Sequence, residues 1–199
     1  MSNFPDLLAR RLRHDPGQPF VTYYDDGTGE RTELSVTTYA NWVAKTANLL
    51  VDELMLNPGD VLALRLPTHW LGPVFVGAAW SAGLRIADGA SDERPDVVVV
   101  GPDARTQTPA GGEVLACSLA PFATRFAEQL PEDVHDFGLL WPGQGDVFVP
   151  VEAVELGDAA PAPGRVLTDL DPADEPAREL LRDLVAGTGS LVLVGGTAT

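Results

Sequence analysis

One cysteine, one lysine and no apolar run approaching the ~20 residues of a membrane span mark this 199-residue chain by what it has little of. A single thiol, Cys117, excludes an intramolecular disulfide framework and any cysteine-rich zinc site. It points to a reducing compartment. Basic side chains are scarce, 13 against 29 acidic ones, for a net charge of −16. Nucleic acid is therefore excluded as a partner, since phosphate contacts need clustered cations, and anionic membrane surfaces are disfavoured for the same reason. Met1 to Arg13 places its arginines after its apolar residues, the reverse of a secretory signal. The expectation is a cytoplasmic, soluble protein with no nucleic-acid or membrane partner. Hydrophobic residues make up 45% of the chain. A chain of this length buries about 70% of its unfolded surface, enough for one domain or a domain with a subdomain.

Phe4, Leu7, Leu8 and Leu12 have the spacing of a short amphipathic helix. Phe20–Tyr24 and Thr32–Leu34 read as strands joined by a turn containing Asp26-Gly27, the pair that supplies left-handed backbone in hairpins. Ser35 caps a helix expected to run to about Leu54, where Asn57-Pro58-Gly59-Asp60 ends it. Val61–Leu66 reads as a buried strand, Pro67-Thr68 as the opening of a largely apolar helix through Trp80, Gly83 as its C′ residue, and Leu84–Ala87 as a short strand. Val97–Val100 is the clearest buried strand in the chain. Val114–Cys117 is expected as a strand and Pro121–Leu130 as a helix with proline in its first turn. Arg165–Leu170, Ala173–Val185 and Leu191–Val194 repeat the strand, helix, strand order. The division is residues 1–141, a hairpin plus a first α/β unit; 142–164, an irregular Pro/Gly-rich acidic connection; and 165–199, a continuation of the same domain. Alternating strands and helices predict an α/β class with a mostly parallel, twisted sheet flanked by helices. An antiparallel α+β arrangement is the alternative.

Over residues 18–101 the sequence also resembles a known family. The hairpin, "LSVTTYANWVAKTANLLVDEL" and "NPGDVLALRLPTHWLGPVFVGAAWSAGLRI" follow one another as in the amino-terminal part of the adenylate-forming superfamily, the acyl-CoA synthetase and AMP-binding enzymes. The matched landmarks are Gly59-Asp60-Val61, Leu66-Pro67 and Ala82-Gly83, all scaffold positions. "RVLTDLD" and "LLRDLVAGTGSLVLVGG" resemble a shortened second segment of that domain, and the whole chain resembles short actinobacterial relatives of these enzymes. The resemblance implies a phosphate loop ending in Pro-Lys-Gly; the corresponding region reads "LLWPGQGDVFVP". The family's aromatic and ribose motifs, its adenylating lysine and its carboxy-terminal domain have no counterpart here. Lys45 falls inside a predicted helix, so neither lysine role is filled. A transferring phosphoryl group needs cations or metal, which an acidic chain with one lysine does not offer.

The remaining motifs are weaker. Gly143-Gln144-Gly145 and Gly187-Thr188-Gly189 lack the strand-then-helix context of a dinucleotide fingerprint and read as a turn or helix cap. Gly195–Thr199 reads as a frayed terminus and not as a phosphate loop. Cys117 reads as a buried core thiol, and His14 and His135 as surface or loop residues without metal-ligand spacing. Asp169-Leu170-Asp171 opens a calcium pattern that Pro172 breaks. The four tryptophans, Phe75 and Phe122 read as core. Thr68, His69 and Trp70 are the ligand-binding candidates, because they stand between the carboxyl end of a parallel strand and the start of a helix. The bland reading of His69 is packing beside Trp70.

The expectation is a non-catalytic domain of adenylate-forming type, with no cofactor, no metal and no catalytic residue, that binds an unknown small molecule or protein partner. The alternatives are a structural or regulatory subunit of a larger assembly or homo-oligomer, and an active acyl-adenylating ligase.

Overall fold

A computed structural model describes residues 3–87, 93–104 and 112–196. Helix α1 (Phe4–His14) is capped by Asn3, whose side chain accepts from the Asp6 amide, and it buries Phe4, Leu7 and Leu8. Strands β1 (Pro19–Asp25) and β2 (Arg31–Ser35) form the expected hairpin. Asp25 closes its turn by accepting the Gly27 and Thr28 amides at 2.8 and 2.9 Å. Ser35 accepts from the Thr38 amide and starts α2 (Val36–Asn48), which continues as a π-helical turn over Leu49–Glu53. Then follow β3 (Val61–Arg65), α3 (Leu71–Ser81) and β4 (Arg85–Ile86). Gly83 takes the expected C′ place after α3 at φ +78°, where a Cβ would also strike the Glu152 carbonyl.

Strands β5 (Val97–Val100), β6 (Glu113–Ala116) and β7 (Val134–Asp136) join β3 and β4 in a five-stranded parallel sheet of order β4-β3-β5-β6-β7. After β7 come the short α4 (Phe137–Leu140), β8 (Arg165–Thr168), α5 (Glu175–Ala186) and β9 (Ser190–Gly195). Strands β8 and β9 return to the hairpin and complete a second sheet of order β2-β1-β9-β8, parallel except for β2. The mostly parallel α/β architecture is present, divided between two sheets that the alternation of elements alone does not separate. Helix α3 is buried along its whole length, which explains why it shows no polar stripe. It belongs to one large core containing Phe20, Tyr23 and Leu191 from one sheet and Leu62, Val97 and Val99 from the other. Val98 and Val100 face the opposite way into a smaller cluster with Ala63, Val114 and Val134. A run of four valines is what a strand buried on both faces requires.

Three expectations are corrected. The helix expected over Pro121–Leu130 is a single 3-10 turn, Pro121–Ala123. Phe122 and Ala123 have φ of 61° and 48°, incompatible with a right-handed helix. The loop is held by Ser118 Oγ donating to the Thr124 carbonyl and by the Phe126 amide donating to Asp136 Oδ2. Phe122, read as core, is consequently 85% exposed. The third concerns α3, which begins at Leu71, so Pro67–Trp70 form a turn before it. Residues 142–164 hold the end of a 3-10 turn, Trp141–Gly143, and one isolated bridge between Asn3 and Glu155, with no strand or α-helix. Gly187 caps α5, and the buried guanidinium of Arg11 donates to the carbonyls of Gly187, Thr188 and Gly189.

Candidate functional site

Strand β3 ends at Arg65, and Leu66-Pro67 leads into the turn Thr68-His69-Trp70. That turn meets the carboxyl ends of β1 and β9. The contact depends on Gly195, where a Cβ would lie 2.4 Å from Tyr23 Oη and 2.9 Å from the Thr68 carbonyl. The Asp26 amide donates to the Gly195 carbonyl at 3.1 Å and fixes the end of β9 to the hairpin turn. Thr68 itself is half-buried, while His69 and Trp70 are buried. The tail read as frayed, Gly195–Thr199, is not frayed at its start, since Gly195 is buried and ends β9; residues 197–199 lie outside the described residues.

His69 is 2% exposed. Its Nδ1 accepts the Leu71 amide at 3.3 Å, satisfying one free donor of the α3 amino terminus. With Nδ1 accepting, hydrogen bonding assigns the proton of the neutral ring to Nε2. Burial lowers the pKa of the imidazole to about 4, against a smaller upward pull from Asp25, so the ring is neutral at pH 7. Its ring lies 4.9 Å from that of Tyr23, edge to face, and 5.3 Å from that of Trp70. Tyr23 Oη donates to Asp25 Oδ2 at 3.2 Å. Burial, with the Asp25 charge behind it, raises the phenol pKa.

The ring contacts continue beyond His69. Trp70 meets Trp42 of α2 edge to face at 4.7 Å, and Trp42 stacks on Trp141 at 3.6 Å and 14°. Phe137, which begins α4, lies 5.2 Å from Phe75 of α3 and 6.3 Å from Trp141. The turn thus stands in an aromatic run from β1 in one sheet to the exit of β7 in the other. Along it, His69 Nε2, Trp70 Nε1 and Trp141 Nε1 are buried and have no hydrogen-bond partner among the described residues. Buried N–H groups without partners are rare, and each costs about 1–3 kcal/mol. All three are enclosed among packed aromatic rings.

Residues 141–146, where the resemblance implies a phosphate loop, pack against α2. Lys45 donates to the carbonyls of Pro142 and Gln144, pairs with Asp146 at 3.3 Å and lies 5.2 Å over the Trp141 ring. Residues 141–148 are therefore a strap fastened to α2. Cys117 is fully buried, and desolvation raises its thiol pKa, as a core cysteine requires. Among the described residues no group of three or more His, Cys, Asp or Glu is placed to hold a metal ion. No helix there is long and apolar enough to cross a membrane.

At the carboxyl end of the five-stranded sheet the polar groups are already engaged. Asp136 accepts the Phe126 and Gly138 amides at 3.0 and 2.9 Å; at the opposite end of β6, Glu113 meets His135 of β7 at 2.8 Å. Pro67 and Leu119 close over Gly101, where a Cβ would stand 3.2 and 3.5 Å from their side chains. A surface cavity of about 570 Å³ beside Arg125, Leu130, His135 and Leu139 does not include Thr68, His69 or Trp70 in its lining. Of the aromatic run, sequence reasoning selected His69 and Trp70 but read Trp42 and Trp141 only as core. No spacing signal links residues 42 and 141.

Comparison with known proteins places this geometry in context. No family model matches the chain. It is 39% identical over 192 residues to a TIGR03089 family protein of Mycobacterium tuberculosis, an alignment covering 92% of this chain and 72% of that one. Among solved structures it resembles an acyl-CoA synthetase from Brucella canis, with TM-score 0.75, 16% identity, and 100% of this chain on 44% of that one. It also resembles acetoacetyl-CoA synthetase from Streptomyces lividans, with TM-score 0.72, 18% identity, and 98% of this chain on 38% of the other. A nonribosomal peptide synthetase matches at TM-score 0.62 and 16% identity, with 97% of this chain on 22% of that one. The chain therefore has the fold of the amino-terminal region of adenylate-forming synthetases and spans less than half the length of each of these three.

Proposed function

The chain belongs to the TIGR03089 family, and we propose that it is a cytoplasmic small-ligand-binding domain that has the adenylate-forming fold but does not adenylate. The ligand is an acyl or nucleotide-related compound. Its flat or apolar part lies along the Trp42, Trp70 and Trp141 rings, and its acceptor atoms take the N–H groups of His69, Trp70 and Trp141. In this reading residues 165–199 complete the unit formed by residues 1–141. The observation that carries the proposal is the set of three buried, unpartnered ring donors in one aromatic run. The non-catalytic half rests on Lys45, the single lysine, whose ammonium is fastened to the strap.

Thermal unfolding with ATP, AMP, coenzyme A and a fatty acid tests the binding. A ligand at 100 times its Kd stabilises by about 2.7 kcal/mol, which raises Tm by roughly 5–10 °C in a domain of this size. A saturable rise with one of these compounds is expected, and it should disappear in His69→Phe. No shift with any of them at millimolar concentration contradicts the proposal. Pyrophosphate exchange should be absent; exchange by the purified chain contradicts the non-catalytic half.

A further inference from the structure

The walls that enclose the aromatic run are not equally held. Helix α3 is buried along its whole length, and β1 has a bonded strand on each side. The strap, residues 141–148, is fastened in another way. From Gly145 to Phe148 it makes no backbone–backbone hydrogen bond among the described residues. Its ties come from α2, where Trp42, Lys45 and Asn48 recur at every third position and so share one face of the helix. Lys45 Nζ donates to the carbonyls of Pro142 and Gln144, and Asn48 Nδ2 to those of Gly145 and Val147 at 2.9 and 3.0 Å. Gln144 Nε2 adds a bond to Glu53 at 3.1 Å.

These ties are weak ones. In the ion pair with Lys45, Asp146 is 68% exposed, and a pair open to water on one side contributes little. Packing under the strap is incomplete as well. A groove of about 230 Å³ lies between Asp146, Val147 and Phe148 on one side and Leu8, Leu12 and Ala44 on the other. A segment without a backbone ladder, tied by side chains at the surface and set over unfilled space, opens at less cost than the core elements around it. The inward anchor is Trp141, which stacks on Trp42 at 3.6 Å with Lys45 Nζ 5.2 Å over its ring. Lys45 therefore holds both the ring and the carbonyls that follow it. Trp141 Nε1 is enclosed without a partner, so lifting the indole breaks no hydrogen bond of that group and lets water satisfy it.

We propose that residues 141–148 are a lid that lifts from α2 and uncovers the Trp42 and Trp141 rings, with Lys45 as its latch. That the lid admits a ligand rests on the binding role proposed above; the motion itself belongs to the chain alone.

Hydrogen exchange of the indole N–H groups, followed by proton–nitrogen NMR without any ligand, tests the motion. Lys45→Met keeps an unbranched side chain but removes the donor and the charge, and should speed Trp141 exchange about tenfold. Trp80, which packs on Phe4 away from the strap, should keep its rate. Lys45→Arg should stay within about twofold of the parent, since a guanidinium also donates to several carbonyls. Asn48→Ala removes the other pair of ties and should speed Trp141 exchange in the same direction, which keeps the test open if Lys45→Met does not fold. An unchanged Trp141 rate in these variants, or an equal rise at Trp80 and Trp141, overturns the proposal, because the strap would then open only with the whole domain. Faster Trp141 exchange without a thermal shift from any compound would reject the binding role and support the lid. Where a compound does bind, its association rate should rise in Lys45→Met.

Discussion

The exits of β3 and β7 occupy equivalent places in the same parallel sheet, yet they use their polar groups in opposite ways. At the β7 exit, Asp136 takes two backbone amides, Ser118 holds the Thr124 carbonyl, and Gly138 fits beneath the backbone of Thr124 and Arg125. Those groups shape a loop. At the β3 exit, His69 gives one nitrogen to the α3 amino terminus and leaves the other unpartnered, as does the indole of Trp70. A site that retains unpartnered donors gives up stability for the capacity to bind. Substitutions at the two exits should therefore separate stability from binding.

The largest separation is expected in acid. The pKa of His69 is near 4 in the fold and 6.5 when unfolded, so between these values the unfolded chain binds more protons. Stability then falls as pH drops from 6.5 towards 4 and the His69 contribution levels off below that, a loss of about 3 kcal/mol from this group. Urea titrations across that range should show this component in the parent and not in His69→Phe; identical pH profiles would break the contrast.

Next comes Gly138→Ala at the β7 exit. A Cβ there lies 2.4 Å from the Arg125 amide nitrogen and 2.5 Å from the Thr124 carbonyl carbon, which are backbone atoms that cannot turn aside. A loss of about 2–3 kcal/mol is expected in urea unfolding, with ligand-induced Tm shifts retained. Asp136→Ala should follow at about 2 kcal/mol, since it leaves two backbone amides without their acceptor. A change below a few tenths in either variant would show that the loop does not depend on these groups.

The smallest stability effect belongs to Trp141→Phe. Its N–H makes no hydrogen bond among the described residues and its ring is half-buried, so about 1 kcal/mol of stacking and burial is at stake. Ligand affinity should fall by about tenfold, or about 1.4 kcal/mol, for one hydrogen bond lost. If affinity does not fall, Trp141 is scaffold only.

The two exits also differ in how far they could be read from sequence. Val97–Val100, the Asp-Gly hairpin and the Ser35-capped helix were legible because period, turn chemistry and capping agree locally. Strand β7 and helix α4 are three and four residues long, too short to show a period, and the Pro121 segment carried a helix signal that Phe122 and Ala123 override with positive φ. Thr68, His69 and Trp70 lie between β3 and α3, as the order of elements in the sequence implies, but the aromatic run around them was not legible. Trp42 and Trp141 are brought together by the strap through Lys45 and Asn48, a long-range closure that leaves no local pattern.

The central claim is that the ring N–H groups beside α3 are there to be taken by a ligand. Proton–nitrogen NMR of the indole N–H groups tests it most directly, with Trp42, Trp70, Trp80 and Trp141 assigned by single phenylalanine replacements. On titration with ATP, AMP, coenzyme A and a fatty acid, the account predicts that one of them moves the Trp70 and Trp141 resonances together, saturably and downfield, as new hydrogen bonds form. Trp70 and Trp141 resonances that stay in place with every compound at millimolar concentration would contradict it.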